Sequence, residues 1–179
     1  MMAKQTIFTF SGKAQHGKDE SAKILKQIIE SHGKTALVIS YADYLKHLAR
    51  QYFGWDGNKD EKGRALLQNI GTEKVRTKFP NFWVNIAIGV AQIFEDDYDY
   101  VLISDCRYPN EIHRWLEEGY TVISTHVTRL NFVNCLTDNQ KNHSSETSLD
   151  NFPFSVRLQA ETVDALKEEI RHKLERFII

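Results

Sequence analysis

Gly12 and Gly17 bracket four residues, and Lys18 and Asp19 follow at once. The run Gly12-Lys13-Ala14-Gln15-His16-Gly17-Lys18-Asp19 has the spacing G-x-x-x-x-G-K, with Asp19 where Ser or Thr is usual. Glycine at both ends lets the backbone curl until its N–H groups point inward, a geometry suited to phosphate oxygens. Lys18 adds a mobile positive charge, and a helix starting there adds its positive end. Just upstream, Thr6-Ile7-Phe8-Thr9-Phe10 reads as a strand, and apolar residues then resume at helical spacing. Strand, loop and helix in that order are the context a phosphate-binding loop requires; the plain alternative is a glycine-rich surface turn.

Three further polar clusters follow strand-like runs: Ser40-Tyr41-Ala42-Asp43, Ser104-Asp105-Cys106-Arg107 and Thr128-Arg129. In open parallel sheets ligands collect at the carboxyl ends of strands, so the four clusters together suit one site. Asp105 stands where a carboxylate can hold Mg²⁺ directly or through water; its plain alternative is a turn residue. Arg107 can fork onto a phosphate, or make a surface ion pair. Asp43 divides between helix cap and substrate contact. Arg64, Gln68 and Thr72 share a helical face that suits a base or a phosphate, although charged helix faces are usually just solvated. His143-Ser144-Ser145-Glu146 reads as a loop with a local cap, and Trp83 as core.

The elements that must position these residues alternate between strand and helix, which predicts a parallel sheet covered by helices. Ala22, Leu25, Ile28 and Ile29 share one helical face, Gly33 ends that helix, and Ala36 to Ile39 is a second strand. Asp43 starts a helix with Leu45, Leu48 and Ala49, and Gly54 to Asp60 is a turn. Gly63 to Lys78 is predicted helical, Pro80 breaks it, and Trp83, Ile86, Ala87, Val90 and Phe94 resume the period. Tyr100 to Ser104 is a strand ending at Asp105. Pro109 opens a short helix with Ile112, Trp115 and Leu116, which Gly119 stops. Tyr120 to Ser124 is the next strand. Leu130 to Phe152 is polar and aperiodic, hence expected to be mobile; Phe154 to Leu158 is an edge strand, and Val163 to Phe177 the closing amphipathic helix.

A chain of 179 residues, 41% hydrophobic, suits one domain. No apolar run approaches a membrane span, and the run Met1-Met2-Ala3-Lys4-Gln5 carries no signal-peptide pattern. Cys106 and Cys135 lack C-x-x-C spacing and read as free thiols of a reducing cytosol, so the expected location is cytoplasmic. A net charge of −1 gives no footprint for a nucleic-acid polymer, while a nucleotide-sized ligand stays open.

Taken together, the Gly12 to Asp19 loop, Tyr41-Ala42-Asp43-Tyr44-Leu45-Lys46, Leu67-Gln68-Asn69-Ile70-Gly71-Thr72, Phe82-Trp83, Ser104-Asp105-Cys106-Arg107-Tyr108-Pro109-Asn110-Glu111 and His143-Ser144-Ser145-Glu146-Thr147-Ser148-Leu149-Asp150 occur in an order that resembles the deoxynucleoside monophosphate kinases of bacteriophage type. The resemblance covers nearly the full length. The stretch from Ser145-Glu146 to Leu149-Asp150-Asn151-Phe152 is also similar to animal phosphomevalonate kinase, which has a different acceptor. One departure is that Glu20-Ser21 follows Asp19, where a Thr often stands in the family.

The resemblance implies a three-layer α/β P-loop kinase fold, spanning residues 1–179 as one domain, with a central parallel sheet and a small lid at about residues 130–152. It implies transfer of the γ-phosphoryl group of MgATP to a deoxynucleoside 5'-monophosphate. Gly12 to Lys18 with Asp19 and Glu20 would hold ATP, and Asp19 and Asp105 would position Mg²⁺. Lys18, Asp105, Arg107 and Arg129 would serve the transfer. Asp43, Lys46, Arg64, Gln68, Arg76, Trp83, Arg107, His143 and Glu146 would form the acceptor site. The expected partners are small nucleotides, with no membrane and no nucleic-acid polymer, and a homodimer is compatible with the chain. A kinase of another phosphorylated small molecule, or a catalytically silent nucleotide-binding regulator, is the alternative.

Overall fold

Five strands form one parallel sheet in the order β2-β3-β1-β4-β5: β1 (Thr6–Ser11), β2 (Ala36–Ile39), β3 (Tyr100–Cys106), β4 (Thr121–Arg129) and β5 (Val156–Ala160). The structure, a computed structural model, describes residues 5–178. Met1 to Lys4, read above for a targeting signal, lie outside the described residues. Among the described residues no helix is long and apolar enough to cross a membrane.

Strand β1 is central and buried on both faces, which is why its sequence is so apolar. On one face Phe8, Phe10 and Leu102 pack against Leu25 and Ile29 of α1 (Lys18–Ser31) and Ile170 and Leu174 of α8 (Val163–Leu174). On the other, Ile7, Val101 and Ile103 meet Val84 and Ile88 of α4 (Phe82–Ile93) and Ile112 and Trp115 of α5 (Asn110–Glu117). Each such fully buried side chain contributes roughly 1.5–3 kcal/mol. The helix after β1 covers one face and the helix after β3 the other. A crevice therefore opens between the carboxyl ends of these neighbours, the place such sheets bind ligands.

Three expectations are refined. Strand β4 runs on to Arg129, five residues beyond the predicted Ser124 end, because Thr125, His126 and Ser11 sit in the ladder and satisfy it through the backbone. The predicted Gly63 to Lys78 helix is α3 (Glu61–Gln68) followed by π-helical turns (Asn69–Arg76). Within these turns the Gly71 carbonyl accepts the Trp83 indole N–H at 3.0 Å. The Leu130 to Phe152 segment is no bare loop: it holds α6 (Asp138–Lys141) and α7 (Ser144–Thr147). A capping box of Thr137 and Gln140 starts α6, and Leu136 and Leu149 are buried anchors. Two helices of four residues each carry no readable period.

Candidate active site

The loop between β1 and α1 is built on backbone that only certain residues tolerate. Gly12 has φ +144°, and a Cβ there would lie 2.3 Å from the Val127 carbonyl oxygen of β4. Gln15 and Gly17 are left-handed, at φ 66° and 94°. Lys18 turns back beneath the loop, 7% exposed, and its Nζ donates to the carbonyls of Gly12 at 2.8 Å and Lys13 at 2.9 Å. Burial, with Arg107 nearby, lowers its pKa from 10.5 to about 7. Ala14 is buried with its N–H donating out of the loop to Glu146 Oε2, Asp19 is exposed in the first turn of α1, and the Ser21 hydroxyl is spent on the Gly17 carbonyl at 2.9 Å. His16 has its pKa lowered by burial and then by Lys18, and its Nδ1 accepts the Arg129 N–H at 3.2 Å.

Asp105 ends β3 and reaches across to α2 (Tyr41–Phe53), the helix after β2. Its carboxylate accepts from Ser40 Oγ at 2.8 Å, Tyr41 N at 2.8 Å and Ala42 N at 2.9 Å. Asp105 is thus the cap of α2, supplied from a residue far along the chain, and Asp43 is not. Asp43 sits in the first turn, mostly exposed and paired with Lys46 at 2.8 Å. It faces the groove along β2, outside the cavity that Lys46 lines, because the helix begins at Tyr41.

Arg107 leaves β3 just past Asp105. Its backbone N–H and that of Tyr108 both donate to Glu111 Oε2, at 2.6 and 3.0 Å. Glu111 is 1% exposed and also pairs with Arg76 at 2.6 Å. Burial raises the Glu111 pKa and outweighs the pull of Arg76. The Arg76 guanidinium lies 3.9 Å from the centre of the Tyr108 ring. Arg76 therefore lines the site with its charge already matched. The Arg107 guanidinium instead meets the Glu146 carboxylate of α7, which also accepts the Ala14 N–H at 2.9 Å.

A cavity of about 220 Å³ lies between α2, α3, the π-helical turns and α7. It collects Lys46, Arg64, Gln68, Arg76, Trp83, Arg107 and Glu146, most of the residues expected at an acceptor site, together with Asp105. Trp83 is 3% exposed, a core residue that shows the cavity only one edge. His143 caps α7 and approaches Glu73 at 3.8 Å rather than lining the cavity. A second cavity of about 300 Å³ lies beyond the loop, against Gln15, His16, Gly17, Glu20 and the start of α8. Arg129 belongs to this one, with its guanidinium 4.4 Å from the centre of the Phe132 ring. It is therefore placed away from the Arg107 cavity.

Sequence reasoning missed Glu111 as the anchor of both arginines, Tyr108 as the ring beneath Arg76, and Gln140 in the cavity wall. Glu111 looks like an ordinary acid at a helix start; its burial against Arg76 of the π-helical turns is a tertiary fact. For Tyr108 a weak signal existed, since its hydroxyl bridges Thr72 at 3.1 Å and Ser144 at 3.0 Å, both members of the quoted motifs.

The residues present suit a phosphate group on one structural observation: the loop already binds an oxyanion, the Glu146 carboxylate, through Ala14 N–H beside Lys13 and Lys18. For a divalent cation the case rests on fewer groups. Among the described residues no group of three or more His, Cys, Asp or Glu is arranged to hold a metal ion, and three donors already occupy Asp105. Mg²⁺ held by phosphates and water needs only one or two carboxylates.

No protein-family model matches the sequence, and comparison with curated proteins found no match. Solved structures do match. The APS kinase CysC of Mycobacterium tuberculosis, in complex with AMPPNP and APS, is 15% identical, with a TM-score of 0.52 over 97% of this chain and 99% of that one. The protein APE1195 is 14% identical, with a TM-score of 0.52 over 99% of each chain. At such identities the likeness is one of fold, and it agrees with the sheet and layers described above: the chain has the three-layer α/β fold of P-loop kinases.

Proposed function

We propose that the protein transfers the γ-phosphoryl group of MgATP to the phosphate of a deoxynucleoside 5'-monophosphate. The observation that carries this reading is a pair of cavities flanking one anion seat. The 300 Å³ cavity beside Gln15, His16 and Arg129 suits a donor base, and the 220 Å³ cavity behind Arg107 suits an acceptor. The M. tuberculosis neighbour binds AMPPNP and APS, which lends support to a nucleotide donor here and a nucleotide-like acceptor.

In phosphoryl transfer the protein positions groups and neutralises charge, with little covalent chemistry of its own. The loop N–H groups and Lys18 would hold the β- and γ-phosphates. Arg107, fixed at its backbone by Glu111, would turn its guanidinium to the transferring group and the acceptor phosphate. Arg76, matched by Glu111, would shape the wall with Tyr108 instead of lending a free charge. Gln68, Arg64 and the Trp83 edge would meet the base, alongside Leu45 and Leu67. Lys46 would stand at the rim, and the segment carrying His143 and Glu146, once Glu146 has given up the loop N–H to a phosphate, would cover both substrates and exclude water. Mg²⁺, when bound, would supply charge neutralisation at the phosphate oxygens, and Asp19 and Asp105 would help hold it through its waters.

The test is ADP release from MgATP against a panel of nucleoside and deoxynucleoside monophosphates, phosphomevalonate and APS. Stimulation by at least one deoxynucleotide over the acceptor-free rate is expected. Turnover of phosphomevalonate or APS alone would move the assignment to another acceptor, and ATP binding without ADP release would make the chain a silent regulator.

A further inference from the structure

The phosphate seat of the loop is occupied by the chain's own carboxylate. Glu146 has a side chain only 7% exposed, and its Oε2 accepts the Ala14 N–H at 2.9 Å while its Oε1 meets Arg107. The backbone carbonyl of Glu146 accepts from Lys13 Nζ at 2.5 Å, and Lys13 also pairs with Asp150. Arg107 donates to the Ser145 carbonyl at 3.2 Å. A loop N–H, a guanidinium and a neighbouring ammonium are the groups that receive a phosphoryl oxygen. They are all engaged by residues 145–150.

We propose that Glu146 is an internal phosphate surrogate that latches the segment of α7 onto the loop, so that a polyphosphate binds only by displacing it. The inference rests on the kinase reading for its consequence. Arg107 faces both the latch and the acceptor cavity, so freeing it from Glu146 makes its charge available to an acceptor once the donor phosphates are seated. Donor and acceptor are thereby coupled through one guanidinium, and the loop stays closed to stray anions. Asp150 strengthens the latch at a distance from the seat, by holding Lys13.

The energetic signature is a tax on anion affinity. If nine-tenths of the ligand-free chains are latched, the apparent Kd lies about tenfold above that of the open loop. The experiment measures calorimetric binding of inorganic tripolyphosphate, without divalent cation, to the wild type, Glu146→Ala, Glu146→Gln and Asp150→Asn. Glu146→Ala should bind about tenfold more tightly than wild type. Glu146→Gln, which keeps the shape and loses the charge, should change in the same direction, and Asp150→Asn by about two- to fivefold. Equal or weaker binding by both Glu146 variants overturns the latch, as does absence of tripolyphosphate binding by every form. Tighter tripolyphosphate binding together with no acceptor turnover would sustain the latch and overturn the kinase reading. Unchanged binding in an active kinase would do the reverse.

Discussion

Seating a polyphosphate on the loop at pH 8 should draw nearly one proton out of solution. Lys18 lies beneath the loop with two carbonyl acceptors, the Gly12 and Lys13 oxygens, and no carboxylate in contact. Two acceptors satisfy the two N–H bonds of a neutral amine. Burial and then Arg107 bring its pKa down to about 7 from 10.5. At pH 8, one unit above, about a tenth of ligand-free chains carry the charge. A triphosphate beside the nitrogen favours the ammonium and returns the pKa toward its ordinary range. The uptake is then about 0.9 proton per ligand at pH 8 and about 0.5 at pH 7. Titration calorimetry with tripolyphosphate at pH 8, in buffers of different ionisation enthalpy, reads the net proton number as the slope of observed heat, to which the ligand's own titrating proton also contributes. Lys18→Arg keeps a charge that does not titrate, so the difference between the wild-type and Lys18→Arg slopes isolates the uptake at Lys18. Equal slopes in the two proteins would refute the placement of an uncharged Lys18 beneath the loop. The same shift sets a sign for stability. Between about pH 7 and 10.5 the unfolded chain binds more protons than the folded one at this residue, so this contribution grows more favourable as pH rises.

Arg76→Ala should leave the Glu111 carboxylate buried and unmatched, costing about 3–5 kcal/mol in urea unfolding, with part recovered by adding Glu111→Gln; a loss below about 1 kcal/mol would remove the ion pair from the account. Gly12→Ala forces a Cβ against the Val127 carbonyl at a positive φ, and should cost on the order of 3 kcal/mol, read as a lowered Tm; an unchanged Tm would contradict the close approach of loop and β4. His126 has its pKa brought from 6.5 to about 4, first by burial and then by Arg157. Between those values the unfolded chain holds the extra proton, so stability should fall as pH drops from 6.5 to 4. His126→Gln should flatten that part of the profile, and an equally steep profile in the variant would place the acid sensitivity elsewhere.

The parts legible in the sequence were those written locally. The glycine spacing, the continuous apolar runs of β1 and β3, and the Ala22, Leu25, Ile29 period of α1 each state their structure within a dozen residues. What stayed hidden depends on partners distant along the chain. Asp105 reads as a strand-end acid, yet its three donors lie 63 to 65 residues earlier, at the start of α2. Glu111 looks like a surface acid, yet it is 1% exposed and holds Arg76 and the Arg107 N–H. The sequence reads β4 short because its second half carries Thr125, His126 and Thr128 rather than an apolar run. Helices α6 and α7 are too short for periodicity, and single anchors, Leu136 and Leu149, hold their segment down. Arg129, which the resemblance places in the transfer, ends β4 with its guanidinium over the Phe132 ring, beside the second cavity and not the one that Arg107 lines.

Following the γ-phosphoryl group itself tests the central reading most directly. ATP carrying an isotopic label in that group is incubated with the protein, Mg²⁺ and a mixture of the four common deoxynucleoside monophosphates, and the products are separated by mass. Label recovered in a deoxynucleoside diphosphate, and lost from it in Lys18→Ala, is the expected result. Label appearing only in orthophosphate, or remaining wholly in ATP, would contradict phosphoryl transfer to a nucleotide at this site.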